Sequence, residues 1–296
     1  MQLFLLEVQH FITYLQVEKD ASQHTVNSYR SDIGRFVKFI QKQGVSEVIF
    51  ANITPVMIRA YLNYLKNKGY ARHTIARRMA SLRSFFRYLC KKEIIKANPV
   101  QGIYLPIKDG KTATVLEINE VEALLRLPKP NLLGCRDKAM LELTYASGLR
   151  ISELTGLLIS DIDIITCHVL LYGRGAKERV VPIGKQGMAA LMHYIEQVRP
   201  SLCAQIQHDR LFVNSKGGPI TSRSVRRIFE NYFQRLVIDK QVSPQMLRQS
   251  LAVHLLKNGA NVSFVQELLG TNSCQPCNHL SRENVKVVYN NAHPRA

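Results

Sequence analysis

A chain of 296 residues is too long for one small domain and fits two compact units. Hydrophobic residues at 46% and charged residues at 21% suit packed cores and exclude a disordered chain, and no stretch approaches the ~20 apolar residues that cross a bilayer. The charge is lopsided: 40 Lys and Arg face 22 Asp and Glu, a net +18, so the surface field attracts polyanions and speeds their encounter.

The start, Met1 to Glu7, has no basic opening and too short an apolar run for a signal peptide. The first ninety residues read as helices. Thr25 is placed to cap a segment in which Val26, Tyr29, Ile33, Phe36, Val37 and Ile40 recur at helical spacing. Thr54-Pro55 opens a second helix with Ile58, Tyr61, Leu62 and Leu65 on one face, and Gly69 stops it. Thr74 starts a third, its apolar stripe formed by Ile75, Met79, Leu82, Phe86 and Leu89. Arg72, Arg77, Arg78, Arg83, Arg87, Lys91 and Lys92 interleave with that stripe, with no acidic residue from Arg72 to Lys92. Like charges on one helix repel, and an anionic partner relieves them; this surface is expected to face the backbone of duplex DNA.

Asn98-Pro99 ends the helical run, and the stretch to Thr114 reads as an extended linker. The boundaries expected are therefore 1–95 for a helical unit, 96–115 for the linker and 116–296 for a second unit. In the latter, Glu117–Leu127 and Arg136–Ser147 read as helices. Cys167–Tyr172 and Glu178–Pro182 alternate like short strands about a hairpin-like turn at Gly173–Lys177. Helices follow at Gly187–Arg199, Ser222–Leu236, Pro244–Asn258 and Val262–Leu269, with a short one around Val285–Tyr289; Leu211-Phe-Val is a strand or turn. The six cysteines are scattered as reduced thiols would be in a cytoplasmic protein, and Cys274-Gln-Pro-Cys277 lacks the second close pair a zinc site wants, so no metal is expected.

Two phrases carry chemistry. Ala146-Ser-Gly-Leu-Arg150-Ile-Ser-Glu153 puts an arginine at a helix start after a glycine turn, where backbone donors favour an anion. Taken alone, a structural arginine paired with Glu153, three residues on, is the better account. Pro244-Gln245-Met-Leu-Arg248 gives a second arginine early in a helix, followed by Val265-Gln-Glu-Leu-Leu-Gly270. These segments, the basic hairpin, Thr25-Val-Asn-Ser-Tyr29, Asn98-Pro99-Val100, Leu211-Phe-Val-Asn and the closing Ala292-His-Pro-Arg-Ala296 resemble the tyrosine recombinases of the phage integrase family, and within them the Xer type that serves chromosome segregation.

The resemblance implies a mainly α fold with a small antiparallel β-sheet. It comprises an N-terminal SAM-like helical DNA-grasping domain and a C-terminal tyrosine-recombinase-type catalytic domain, acting on double-stranded DNA in recombination or integration. It also implies assembly with other recombinase protomers on DNA, and no cofactor. Family members hold the scissile phosphate with two arginines, attack it with a tyrosine, protonate the leaving oxygen with a hairpin lysine and use two histidines. Here Arg150 and Arg248 fall on the arginine positions, Arg174 on the lysine position, Gln245 and Thr271 on the histidine positions, and Cys277 on the tyrosine position.

Those changes are chemically unequal. An arginine, with a pKa above ~12, is a poor proton donor. Gln and Thr donate hydrogen bonds but shuttle no proton near neutrality. A cysteine is much shorter than a tyrosine, and Tyr289 is the alternative nucleophile. The expectation is phosphate binding with strand cleavage lost or weakened. Further backbone contacts fall to Lys177, Arg179, Arg223, Arg226 and Arg227. The rival readings are an active recombinase that uses Tyr289, Cys277 or a partner protomer's active site, and a basic RNA- or protein-binding module.

Overall fold

The computed structural model describes residues 2–44, 49–103, 115–172, 178–204, 208–236, 243–271 and 282–296. The chain divides into two compact units, 1–109 and 110–296.

Among the described residues, four α-helices build the first unit: α1 (Gln2–Val17), α2 (Gln23–Lys42), α3 (Pro55–Asn67) and α4 (Arg72–Lys91). Each turns an apolar stripe inward, and the stripes meet in an aromatic core. Phe85 packs edge-on against Phe11 at 5.2 Å and Phe50 at 4.9 Å, and Phe36 against Tyr61 at 5.2 Å. Edge-to-face pairs gain from the ring quadrupoles beyond the area they bury. Thr54 caps α3 as expected, accepting from the Met57 N–H with Pro55 at the first helical position. Two helix starts differ from the sequence reading. The cap of α2 is Ser22, whose hydroxyl accepts from the Thr25 N–H at 3.3 Å, so Thr25 lies inside the first turn. Helix α4 begins at Arg72, two residues before Thr74, with Ala71 as an uncapped flank.

The expected linker is in part core. Val100 and Ile103 are buried with the first unit's aromatic cluster. The Asn98 side chain ties this turn down by donating to the Arg83 carbonyl (3.1 Å) and accepting from the Val100 N–H (2.9 Å). Apolar side chains that find a core outweigh the loop-like composition around them.

In the second unit α6 (Leu132–Ser147) is the central element, buried along nearly its whole length. Around it stand α5 (Ile118–Arg126), α8 (Lys185–His193) and α11 (Gln245–Lys257). A wide turn, Tyr194–Val198, continues α8 into α9 (Arg199–Leu202), so the helix expected over Gly187–Arg199 is interrupted. Helices α7 (Ile151–Gly156), α10 (Ser222–Gln234), α12 (Val262–Leu269) and α13 (Arg282–Ala292) complete the set.

The sheet is antiparallel, β1 (Ile162–Asp163), β2 (His168–Tyr172) and β3 (Glu178–Pro182), with Leu170 opposite Val180 and Tyr172 opposite Glu178. The alternation around 167–182 predicts β2 and β3; β1, only two residues long, carries no periodicity to read. Around Leu211-Phe-Val the backbone forms isolated bridges, Leu158 with Arg210 and Val213 with Pro219.

Candidate phosphate-binding site

The site starts from a glycine. Helix α6 ends at Gly148, whose φ of +61° is left-handed, a conformation glycine adopts without a side-chain clash. The chain reverses there, and Arg150 becomes the residue that opens α7. Its own backbone N–H is bound by the Glu153 carboxylate at 2.8 Å, so one of the backbone donors expected to face an anion is already engaged.

Arg248, one turn into α11, reaches the same place. One end of its guanidinium donates to the Gly148 carbonyl and the other to the Leu269 carbonyl at the end of α12. Arg150 donates to the next carbonyl along, Gly270, at 2.9 Å, and Arg179 on β3 to the one before, Leu268, at 3.1 Å. Three guanidinium groups from three elements thus meet the last carbonyls of α12. Those carbonyls have no partner within the helix and sit at its partially negative end, which is why cations collect there. Gly270, with φ +60°, turns the chain away and leaves room for the Arg179 head: a Cβ at this position would stand 3.0 Å from an Arg179 nitrogen.

Glu153 is the second organiser. The two arginine side chains and the Arg150 backbone together give its carboxylate four hydrogen bonds, those from Arg179 at 2.9 and 2.8 Å and those from Arg150 both at 2.8 Å. Burial pushes its carboxyl up, but the hydrogen bonds from Arg179 and Arg150 outweigh that and hold it below the usual range. Arg248 is lowered to about 10, by burial first and then by the neighbouring positive charge of Arg150; it is still a cation at neutral pH. The sequence reading treats Glu153 only as a rival partner for Arg150. The ion pair does form, yet it leaves the Arg150 side chain 42% exposed beside Arg248. The spacing of three residues points to that pair; nothing local points to Arg179.

The remaining expected positions separate. Gln245 is the exposed first residue of α11, one turn before Arg248. Thr271 is exposed, its N–H bound to the Gln266 carbonyl at 3.0 Å. Arg174, Lys177 and Cys277 lie outside the described residues. Tyr289 is corrected as an alternative nucleophile. It is completely buried on α13, where its hydroxyl donates to the Ala146 carbonyl (3.0 Å) and accepts from the Gly184 N–H (3.2 Å). Burial pushes this phenol far above its ordinary range, the opposite of what a nucleophile needs.

The basic surfaces also sort themselves. Arg223, Arg226 and Arg227 are exposed on α10, and this helix is tied to α7 by the Ser222 and Thr155 hydroxyls at 3.0 Å. On α4, Arg72 and Arg87 are exposed. Three of its neighbours are engaged internally. Asp32 of α2, itself buried, pairs with Arg77 and takes Ser81 at 2.9 Å; Arg78 is buried with its guanidinium 4.0 Å from the Tyr70 ring; Arg83 donates to the Ile103 carbonyl at 2.9 Å. The relief expected from an external anion therefore comes, for Arg77 and Arg78, in part from Asp32.

The family model described as Phage integrase family matches residues 114–284, which include every member of the arginine cluster, and that of the phage integrase N-terminal SAM-like domain matches 8–93. The chain belongs to the phage integrase family. Its relatives in that family include the tyrosine recombinase XerC of Anoxybacillus flavithermus, 37% identical over 97% of both chains. The tyrosine recombinase XerD of Staphylococcus saprophyticus is 35% identical over 98% of this chain and 99% of the relative. Integrase-family structures share the fold. The Tn1549 transposon integrase in complex with circular intermediate DNA aligns over 95% of this chain and 98% of that one, with a TM-score of 0.68 at 17% identity. A lambda integrase dimer bound to a core site aligns over 90% and 94%, with a TM-score of 0.65 at 18% identity.

Proposed function

We propose that this chain binds double-stranded DNA as an integrase-family protein, with Arg150 and Arg248 gripping one backbone phosphate and with strand cleavage lost or severely weakened. The observation that carries this reading is the convergence of the two guanidinium groups at the end of α12, where Arg248 and Arg150 donate to successive carbonyls. Planar guanidinium forks suit a phosphate's paired oxygens, and preplaced cations meet the charge that develops during phosphoryl transfer. Exposed Arg72 and Arg87 on α4 and Arg223, Arg226 and Arg227 on α10 supply further backbone contacts. The positions that in the family move protons or attack are Arg174, Gln245, Thr271 and Cys277, so the grip is kept and the chemistry is not. The protein acts in the cytoplasm, where chromosomal DNA lies and where thiols such as Cys90, Cys135, Cys167 and Cys203 stay free. It binds DNA alongside other recombinase protomers, as the DNA-bound integrases of the same fold do.

Salt titration of duplex binding tests the grip. Replacing both Arg150 and Arg248 with Ala is expected to lower the slope of log affinity against log salt by about 0.9, since the two arginines neutralise one phosphate. An unchanged slope and affinity would mean the arginines are purely structural. Cleavage is tested on a duplex nicked beside the cleavage point. No covalent protein–DNA adduct is expected, and a trapped adduct would overturn the claim of lost cleavage.

A further inference from the structure

We infer that Arg179 is a positioning residue for the phosphate grip, not a DNA contact: it occupies the Glu153 carboxylate so that Arg150 keeps free charge to offer. The inference rests on the proposed role of Arg150 and Arg248.

Arg179 is poorly placed to touch a duplex. Its side chain is 12% exposed, both ends of its fork hold Glu153, and its Nε donates to Leu268. To meet a phosphate it would have to give up a two-pronged ion pair with a carboxylate that is itself 8% exposed, leaving that charge poorly compensated. Its effect on the site is nevertheless direct. Each Glu153 oxygen accepts one bond from Arg179 and one from Arg150, so the carboxylate is shared between them. Three guanidinium groups against one carboxylate leave a net +2 at the end of α12, and Arg179 supplies the charge that Glu153 would otherwise take from Arg150. Arg179 also joins three elements in one bond set: β3, which carries it, α7 through Glu153, and α12 through Leu268. It thereby ties the helix end that Arg150 meets at Gly270 to the carboxylate that Arg150 shares.

Geometry, not charge alone, is required for this. A lysine keeps the charge but cannot hold both carboxylate oxygens and Leu268 at once. Binding of the full-length chain to a fluorescein-labelled duplex of fixed length, titrated with salt, separates the roles. Arg179→Lys and Arg179→Ala are both expected to weaken binding about tenfold and to lower the salt slope by up to about 0.9, the most that one gripped phosphate can account for. Combined with Arg150→Ala, either substitution is expected to add almost nothing, because the contact it supports is already gone. Three outcomes would overturn the inference: Arg179→Lys restoring the affinity and slope of the parent, which is the signature of a direct phosphate contact; full additivity with Arg150→Ala; or a lowered melting temperature with an unchanged slope, which marks a purely structural residue. If instead Arg150→Ala alone leaves binding untouched, it is the underlying phosphate grip that fails.

Discussion

Replacing Tyr289 with Phe removes one oxygen atom from the centre of the second unit and nothing else. The ring sits fully buried, and its hydroxyl bridges two backbone groups, the Ala146 carbonyl near the end of α6 and the Gly184 N–H at the start of α8. Phenylalanine fills almost the same volume, so no cavity term arises, but both backbone groups lose a partner in a place water does not reach. An unsatisfied buried polar group costs about 1–3 kcal/mol, and the buried hydroxyl's own desolvation is recovered, so a net loss of about 2–3 kcal/mol is expected. Because the chain has two cores, one global melting curve would mix their transitions. Native-state hydrogen exchange read on peptides from α6 and α8 reports the second unit directly, and protection there should fall by about 30-fold to 150-fold, the factor equivalent to that loss. Protection within twofold of the parent would refute the bridging role. In parallel, the nicked-duplex assay should read the same for parent and variant, because a residue locked this way attacks nothing.

Two further outcomes follow from buried charge. His293 is 5% exposed, stacked on Tyr289 at 4.6 Å, and held neutral by burial, its pKa lowered to about 4. A histidine whose folded pKa is depressed contributes stability that is full above about 6.5 and is lost as pH falls through 4; the difference is worth on the order of 3 kcal/mol. His254, also buried and lowered, acts in the same direction, so the second unit should lose stability from pH 6.5 downward in urea titrations, and His293→Gln should flatten that dependence; an equally steep profile in the variant would refute the assignment. In the first unit, Asp32→Ala leaves the buried Arg78 and its neighbour Arg77 without their carboxylate. A loss of about 3–5 kcal/mol is expected in α2 and α4 by hydrogen exchange, and a change under 1 kcal/mol would show that the network is dispensable.

Most of the fold was legible because its elements are long and periodic. Val262–Leu269 and the β2–β3 pair lie close to where spacing alone puts them. The misplaced starts have local causes. Ser22 and Thr25 are both hydroxyl residues three apart, the geometry of a cap and the residue it serves, and either reads as the cap. Val100 and Ile103 looked like linker because two apolar residues among Pro and Gly make no pattern until a core receives them. Arg78, expected on the DNA-facing surface, is buried for a reason the spacing carries: it stands three residues after Ile75 and four before Leu82, on the stripe itself. At the site, the two arginines could be matched through family resemblance, but their setting could not. Glu153 is joined to Arg179 across 26 positions and Arg150 to Gly270 across 120, distances over which no spacing rule operates.

The saturation of Glu153 has a consequence for what kind of site this is. A carboxylate with four donors and a lowered pKa has no lone pair ready for a proton, and Arg248 at about 10 does not release one at neutrality. The carboxylate and the arginine fork that organise the end of α12 therefore keep their charges at neutral pH. With Glu153 and Arg248 both held in their charged forms, this pair acts as an electrode in place of a relay: it attracts an anion and hands over no proton.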